Sequence, residues 1–164
     1  MEIGKFQIYT GKGKGKTTAA LGLCFRALGH GLKVKIIQLR KNQYCGEHMQ
    51  AKKIGLDITQ CSVGRNGEPC ASPCPLAIQA IEILKNDPPD ILVMDEMMEA
   101  IRVKCISVNE AVALVEAKPK GTELVMTGRN VPQELLDLAD LITSMEPIKH
   151  YYKDGVPARE GIEY

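Results

Sequence analysis

Thr10-Gly11-Lys12-Gly13-Lys14-Gly15-Lys16-Thr17-Thr18 says more about this chain than any other segment. It follows a β-rich run, Lys5-Phe6-Gln7-Ile8-Tyr9-Thr10, and opens a stretch in which Ala20, Leu21, Cys24, Phe25 and Leu28 recur at helical spacing. Gly29 and Gly31 close that helix, with His30 between them as a C-terminal cap. Alternating glycines at 11, 13 and 15 let successive backbone N–H groups turn inward around an anion, which larger residues would block. The helix that follows aims its positive end at the same spot. Gly15-Lys16-Thr17 matches the end of the phosphate-loop pattern G-x-x-x-x-G-K-[ST], while Thr10 stands where the pattern has its first glycine. The alternative is a solvated basic turn. Strand, loop and helix all fall where a phosphate loop requires them, so Lys16 is assigned to phosphate and the Thr17 hydroxyl to Mg²⁺.

Outward from this loop, strand-like and helix-like segments alternate to the end of the chain. Lys33–Leu39 reads as a second strand, a short helix covers Glu47–Ile54, and Leu56–Cys61 is a third strand. Cys61–Pro75 then breaks the pattern with a loop rich in Cys, Pro and Gly. Pro75 suits a first helical turn, ahead of Leu76, Ala80, Ile83 and Leu84, and Asn86-Asp87-Pro88-Pro89 stops that helix. Ile91-Leu92-Val93-Met94 is a continuous apolar strand of the kind covered on both faces. Ser107-Val108-Asn109-Glu110 fits a capping box; Thr122–Thr127, Pro132–Asp140 and Leu141–Met145 give strand, helix and strand. The expectation is an α/β fold: one domain over residues 1–164, with five to six mostly parallel strands and helices on both faces of the sheet.

Composition narrows the function. The chain has 164 residues, about the length of one domain, with 45% apolar and 25% charged residues. Its aliphatic runs fall far short of the ~18 residues needed to span a bilayer, and its start lacks a signal-peptide pattern, so a cytoplasmic protein without membrane contact is expected. A net charge of +1 and 4% aromatic content give no field or stacking platform for nucleic acid.

Asp95-Glu96, directly after the apolar strand, is a candidate Mg²⁺ pair, since magnesium needs only one or two protein oxygens beside phosphates and water. Its alternative is an acidic cap on a strand end. Thr127-Gly128-Arg129-Asn130 closes another strand at the edge where open α/β sheets bind ligands. Arg129 there is either a phosphate partner or a surface ion pair, and Arg26 on the first helix either a phosphate partner or a snorkelling side chain. Cys61, Cys70 and Cys74 share one loop; their spacing matches no standard zinc or iron–sulfur pattern, leaving plain thiols, a metal site or a redox pair open. Cys24 reads as packing, and His48 and His150 lack metal-pair spacing.

Taken together these residues resemble the ATP:corrinoid adenosyltransferases. The likeness runs through Tyr9–Gly22, Gly29-His30-Gly31, Ile36-Ile37-Gln38, Asp95-Glu96 and Thr127-Gly128-Arg129. It continues in Leu136-Asp137-Leu138-Ala139-Asp140, Ile148-Lys149-His150 and Gly155–Tyr164, nearly the whole chain. The resemblance implies a RecA-like phosphate-loop fold, usually a homodimer, moving the 5′-deoxyadenosyl group of ATP to Co(I) of a corrinoid and releasing triphosphate. It implies ATP held in reverse, with the γ-phosphate where other phosphate-loop enzymes place the α-phosphate. By the same resemblance Thr10, Gly11, Lys12, Gly13, Lys14, Gly15, Lys16, Thr17 and Thr18 form the triphosphate grip. Thr17 and Glu96 would bind Mg²⁺ with Asp95 adjacent; Arg26 and Arg129 would neutralise phosphate charge, Lys16 and Arg129 carrying the catalytic role. A flavoprotein reductant would supply Co(I).

Two departures stand out. Family members carry a leading helical segment, whereas here the first strand starts almost at Met1, and they place aromatics in the loop that here is 61–75, which has no Trp, Phe or Tyr. Two other readings remain: a phosphate-loop ATPase or phosphotransferase cleaving at the γ-phosphate, and a metal-responsive nucleotide-binding module with the cysteine loop as sensor.

Overall fold

Side chains on successive strand residues face opposite sides of a sheet, and the apolar strands of this chain divide accordingly. The computed structural model describes residues 2–62 and 73–164. Its strands are β1 (Phe6–Thr10), β2 (Val34–Gln38), β3 (Asp57–Gln60), β4 (Ile91–Asp95), β5 (Glu123–Thr127) and β6 (Leu141–Ser144). They form one sheet in the order β3-β2-β4-β5-β1-β6, with every pairing parallel. Ile91 and Val93 of β4, Val125 of β5 and Val34 and Ile36 of β2 face the first helix, α1 (Lys16–Gly29), and pack on its Ala20, Cys24 and Ala27. Leu92, Met94, Leu124 and Met126 face the other way, into the larger cluster.

That second face is covered by α3 (Pro75–Asn86), α4 (Met97–Arg102), α5 (Val108–Glu116) and α6 (Gln133–Leu138), through Leu84, Met97, Leu114 and Leu135 among others. The remaining helix, α2 (Gly46–Ile54), lies between β2 and β3 in the chain. Pro75 takes the first turn of α3, and Ser107 caps α5 as expected: the Glu110 N–H donates to its hydroxyl at 3.1 Å, and its own N–H donates to the Glu110 carboxylate at 2.7 Å. α4 was not foreseen in the sequence, nor was the 3₁₀ turn Tyr151–Asp154.

Strand order places the functional edge. β5 lies between β1, which leads into the glycine loop, and β4, which ends in Asp95. The chain leaves β1 for β2, beyond β5 and β4, whereas it leaves β5 for β6 on the opposite side. Reversal of direction between neighbouring strands opens a crevice at their carboxyl ends. Asp140 fastens β6 beside β1: its carboxylate accepts the Phe6 N–H at 2.8 Å and the Lys5 ammonium at 3.0 Å. The Phe6 bond, then the Lys5 contact, hold its carboxyl below the usual carboxylate range.

Candidate active site

The glycine loop bends between β1 and α1 as its sequence requires. Gly11 and Gly15 adopt φ of 95° and 117°, a region side chains avoid. Gly13 has a different reason. Its N–H donates to the Met145 carbonyl at 2.6 Å, and a Cβ there would stand 2.6 Å from that same oxygen. The first turn of α1 has no side-chain cap and no acidic residue, so its N–H groups are left for an anion. The Lys16 ammonium spans the loop, donating to the Gly11 carbonyl at 2.8 Å and the Gly13 carbonyl at 2.7 Å. Gly13→Ala should therefore destabilise the protein by about 1–3 kcal/mol and weaken nucleotide binding, measured by thermal unfolding and calorimetric titration.

Asp95 is 1% exposed and its carboxylate is fully engaged. One oxygen accepts the Thr17 hydroxyl at 2.9 Å and the Thr127 hydroxyl at 2.6 Å. The other accepts the Lys41 ammonium at 3.0 Å and the Gln38 amide at 3.3 Å. Thr127 in turn accepts the Glu96 N–H at 2.9 Å, fixing the left-handed turn (φ 59°) at which Glu96 leaves β4. Behind Gln38 stands His48, whose ring nitrogen Nε2 is 2.8 Å from the Gln38 side-chain oxygen. His48 Nδ1 accepts the Cys45 N–H at 3.0 Å, so Nε2 carries the proton and donates to Gln38. One hydrogen-bonded chain thus runs from the loop through Thr17, Asp95 and Gln38 to α2.

Sequence reasoning missed Gln38, Lys41 and Thr127 as members of this network. A glutamine ending an otherwise apolar buried strand was the available signal for the first. Ligand atoms of Cys45, Glu47 and His48 come within 4.8 Å of one another, but both His48 nitrogens are spent on the fold, so the group caps α2.

These elements open on one cavity of about 1050 Å³ at the carboxyl edge of the sheet. From the predicted set it brings together Gly13, Lys14, Gly15, Lys16, Thr17, Thr18, Glu96 and Arg129. Asp95 stands behind its wall, joined through Thr17. Leu21 of α1, residues 40–43 and 45–47 after β2, Glu99 of α4, and His150–Tyr152 with Gly161–Tyr164 complete the lining. Arg129 is exposed and lines the cavity.

Other expectations fare differently. Arg26 is corrected: it is exposed on the last turn of α1, ten residues or about 15 Å along the helix from Lys16, and lines no part of the cavity. Thr10 and Lys12 also lie outside the lining. Lys14 is at the cavity, but its ammonium is taken by Glu163 at 2.7 Å. Cys70 lies outside the described residues. Cys61 and Cys74 are buried, Cys74 inside the larger core cluster, and the five described cysteines form no disulfide. Burial pushes the Cys24 thiol up to about 12, in keeping with packing. No helix among the described residues is long and apolar enough to cross a membrane.

A six-stranded parallel sheet with a glycine loop, an α1 N-terminus and an Asp95–Thr17 contact at one edge defines a phosphate-loop, RecA-like nucleotide-binding protein. The crystal structure of the flagellar accessory protein FlaH from Methanocaldococcus jannaschii shares this fold, with a TM-score of 0.61 and 12% identity over 87% of this chain and 72% of that one. The sequence profile of the family described as ATP:corrinoid adenosyltransferase BtuR/CobO/CobP matches residues 2–164. A corrinoid adenosyltransferase of a Sinorhizobium species is 34% identical, covering 99% of this chain and 81% of that protein. Corrinoid adenosyltransferase CobA of Salmonella typhimurium is 32% identical, covering 99% and 87%. The chain belongs to the ATP:corrinoid adenosyltransferase family and is an enzyme of that kind.

Proposed function

We propose that this chain binds ATP in the glycine loop and transfers its 5′-deoxyadenosyl group to Co(I) of a corrinoid, with inorganic triphosphate as the other product. The observation that supports it most is the convergence of Lys16, Thr17, the uncapped α1 N-terminus, Arg129 and Glu96 on one cavity. In the step itself, Co(I) of the corrinoid substrate supplies an electron pair to C5′ and forms the cobalt–carbon bond. The bond from C5′ to the α-phosphate oxygen breaks, and triphosphate leaves with that bond's electrons. Co(I) is nucleophilic enough to need no general base. What the protein must supply is alignment and stabilisation of the charge growing on the departing oxygen. Loop N–H groups, Lys16 and Arg129 provide the second, being fixed cationic or dipolar groups on the phosphate side of the cavity.

The donors at this edge fit a hard divalent cation. Thr17, Glu96 and Glu99 offer oxygen at the cavity, and Asp95 orients the Thr17 hydroxyl from behind. Bound Mg²⁺ would neutralise part of the triphosphate's charge. We assign Thr17 and Glu96 to its inner sphere and give Asp95 an outer role, because its oxygens are already occupied. The same reading carries a flavoprotein as source of Co(I) and a reducing, cytoplasmic setting. It also carries a homodimer, for which the exposed Leu141 and Ile142 on the edge strand β6 offer apolar surface.

Anaerobic assay with Mg-ATP and chemically reduced cobalamin tests the reaction. The expected result is the absorbance of a cobalt–carbon bond together with one triphosphate per turnover. Release of ADP and phosphate would replace this reading with cleavage at the γ-phosphate.

A further inference from the structure

Lys14 comes from a loop shaped to receive anions, yet its partners come from the far end of the chain. Its ammonium donates to Glu163 Oε1 at 2.7 Å, to the Ile162 carbonyl at 2.9 Å and to the Tyr151 hydroxyl at 3.2 Å. Glu163 is the hub of this cluster. It also accepts the Tyr151 hydroxyl and, at 2.7 Å, the Arg159 N–H. The Arg159 guanidinium reaches its two oxygens at 3.4 Å each and lies 5.0 Å from the centre of the Tyr151 ring. Lys14, Tyr151, Ile162 and Glu163 all line the cavity assigned to ATP.

A protein carboxylate therefore neutralises a phosphate-loop lysine. The contact is partly solvated: the Lys14 and Glu163 side chains are 39% and 20% exposed, so the pair is weak enough to exchange. A triphosphate in the same cavity carries far more charge than one carboxylate. Glu163 does not become an uncompensated charge if Lys14 leaves, because Arg159, its N–H and the Tyr151 hydroxyl stay with it. The mutual hydrogen bond raises Lys14 and lowers Glu163 from their ordinary ranges, so both are charged near neutral pH.

We propose that Glu163 is an internal competitor for Lys14: residues 159–164 hold this lysine in the free protein, and the triphosphate of ATP takes it over. The proposal rests on the loop being the triphosphate site. Glu163 is then a positioning residue, and filling the loop loosens residues 159–164 from it. A rigid strut, in which Lys14 stays with Glu163 throughout, makes the opposite predictions.

Inorganic tripolyphosphate with Mg²⁺ is the probe, titrated calorimetrically into the wild type, Glu163→Gln, Lys14→Met and the double variant. Glu163→Gln should bind about two- to fivefold more tightly, the scale of releasing one part-exposed ion pair. That gain should vanish in the Lys14→Met background. In the wild type, tripolyphosphate should speed tryptic cleavage after Arg159, read by mass spectrometry. Unchanged or weaker binding by Glu163→Gln overturns the proposal, as does an equal gain without Lys14, which would mark simple repulsion. Cleavage after Arg159 that is unaltered while the wild type binds the probe also overturns it. Failure of the wild type to bind would instead remove the phosphate-loop reading beneath it.

Discussion

Lys16→Ala is expected to lower turnover by about 10²–10³-fold, the loss typical of removing one preorganised group from developing negative charge. The fold should survive. Lys16 packs into no core cluster, and its ammonium donates to the loop carbonyls of Gly11 and Gly13. Losing these costs about 1 kcal/mol, because loop carbonyls near the cavity regain water. Circular dichroism and thermal unfolding should therefore look near native while formation of the cobalt–carbon bond collapses. Tripolyphosphate affinity should fall as well, since the lysine serves both bound ATP and its leaving group. A variant with near-normal turnover would contradict the assignment of this loop, whatever the affinity. The readout differs from that for Lys14, whose charge is already committed to Glu163.

The contrast between these two lysines shows how much of the site the sequence could carry. The place of Lys16 in the loop was legible because it follows from local order: strand, three spaced glycines, lysine, helix. The place of Asp95 was legible for a similar reason, as a carboxylate directly after a continuous apolar strand. Both inferences need only neighbours in the chain and a known preference of ligands for the carboxyl edge. Lys14 and Glu163 are 149 residues apart, and nothing near either announces the other. Gln38 and His48 form their hydrogen bond across the β2–α2 turn, which depends on how α2 docks. Arg26 failed for a geometric reason: it lies near in sequence, but a helix carries each residue about 1.5 Å further from its start. α4 escaped because six residues make fewer than two turns, too few to show periodicity after the apolar strand. The sheet's existence was readable from alternating segments, whereas its order, with β5 between β1 and β4, was not.

Asp95→Ala should be the most damaging single change to both stability and activity, and the two losses separate. The side chain is buried and accepts from four donors, one of them the Lys41 ammonium, itself 20% exposed. Truncation leaves the Gln38 amide with Glu47 as its remaining acceptor, at 3.3 Å, and leaves Lys41 without its near carboxylate, Glu47 being 3.9 Å away. Breaking a buried pair of this kind costs about 3–5 kcal/mol, and Lys41's access to water places the expectation near about 3. For a chain of this size that corresponds to a drop in Tm of roughly 6–12 °C. Asp95→Asn keeps the shape and one accepting oxygen, but its NH₂ must face either Lys41 or the two threonine hydroxyls. Its destabilisation should be smaller, about 1–2 kcal/mol. Activity should fall severely in both, because the Thr17 hydroxyl loses the carboxylate that orients it toward the cation. Thermal melts and product formation at saturating Mg-ATP measure the two effects side by side. If Asp95 instead served only as a structural pin, Asp95→Asn would retain most turnover at temperatures well below its melt. The cation would then depend on the inner-sphere Glu96 and Thr17 without Asp95, with Thr17 oriented by its place in the first turn of α1.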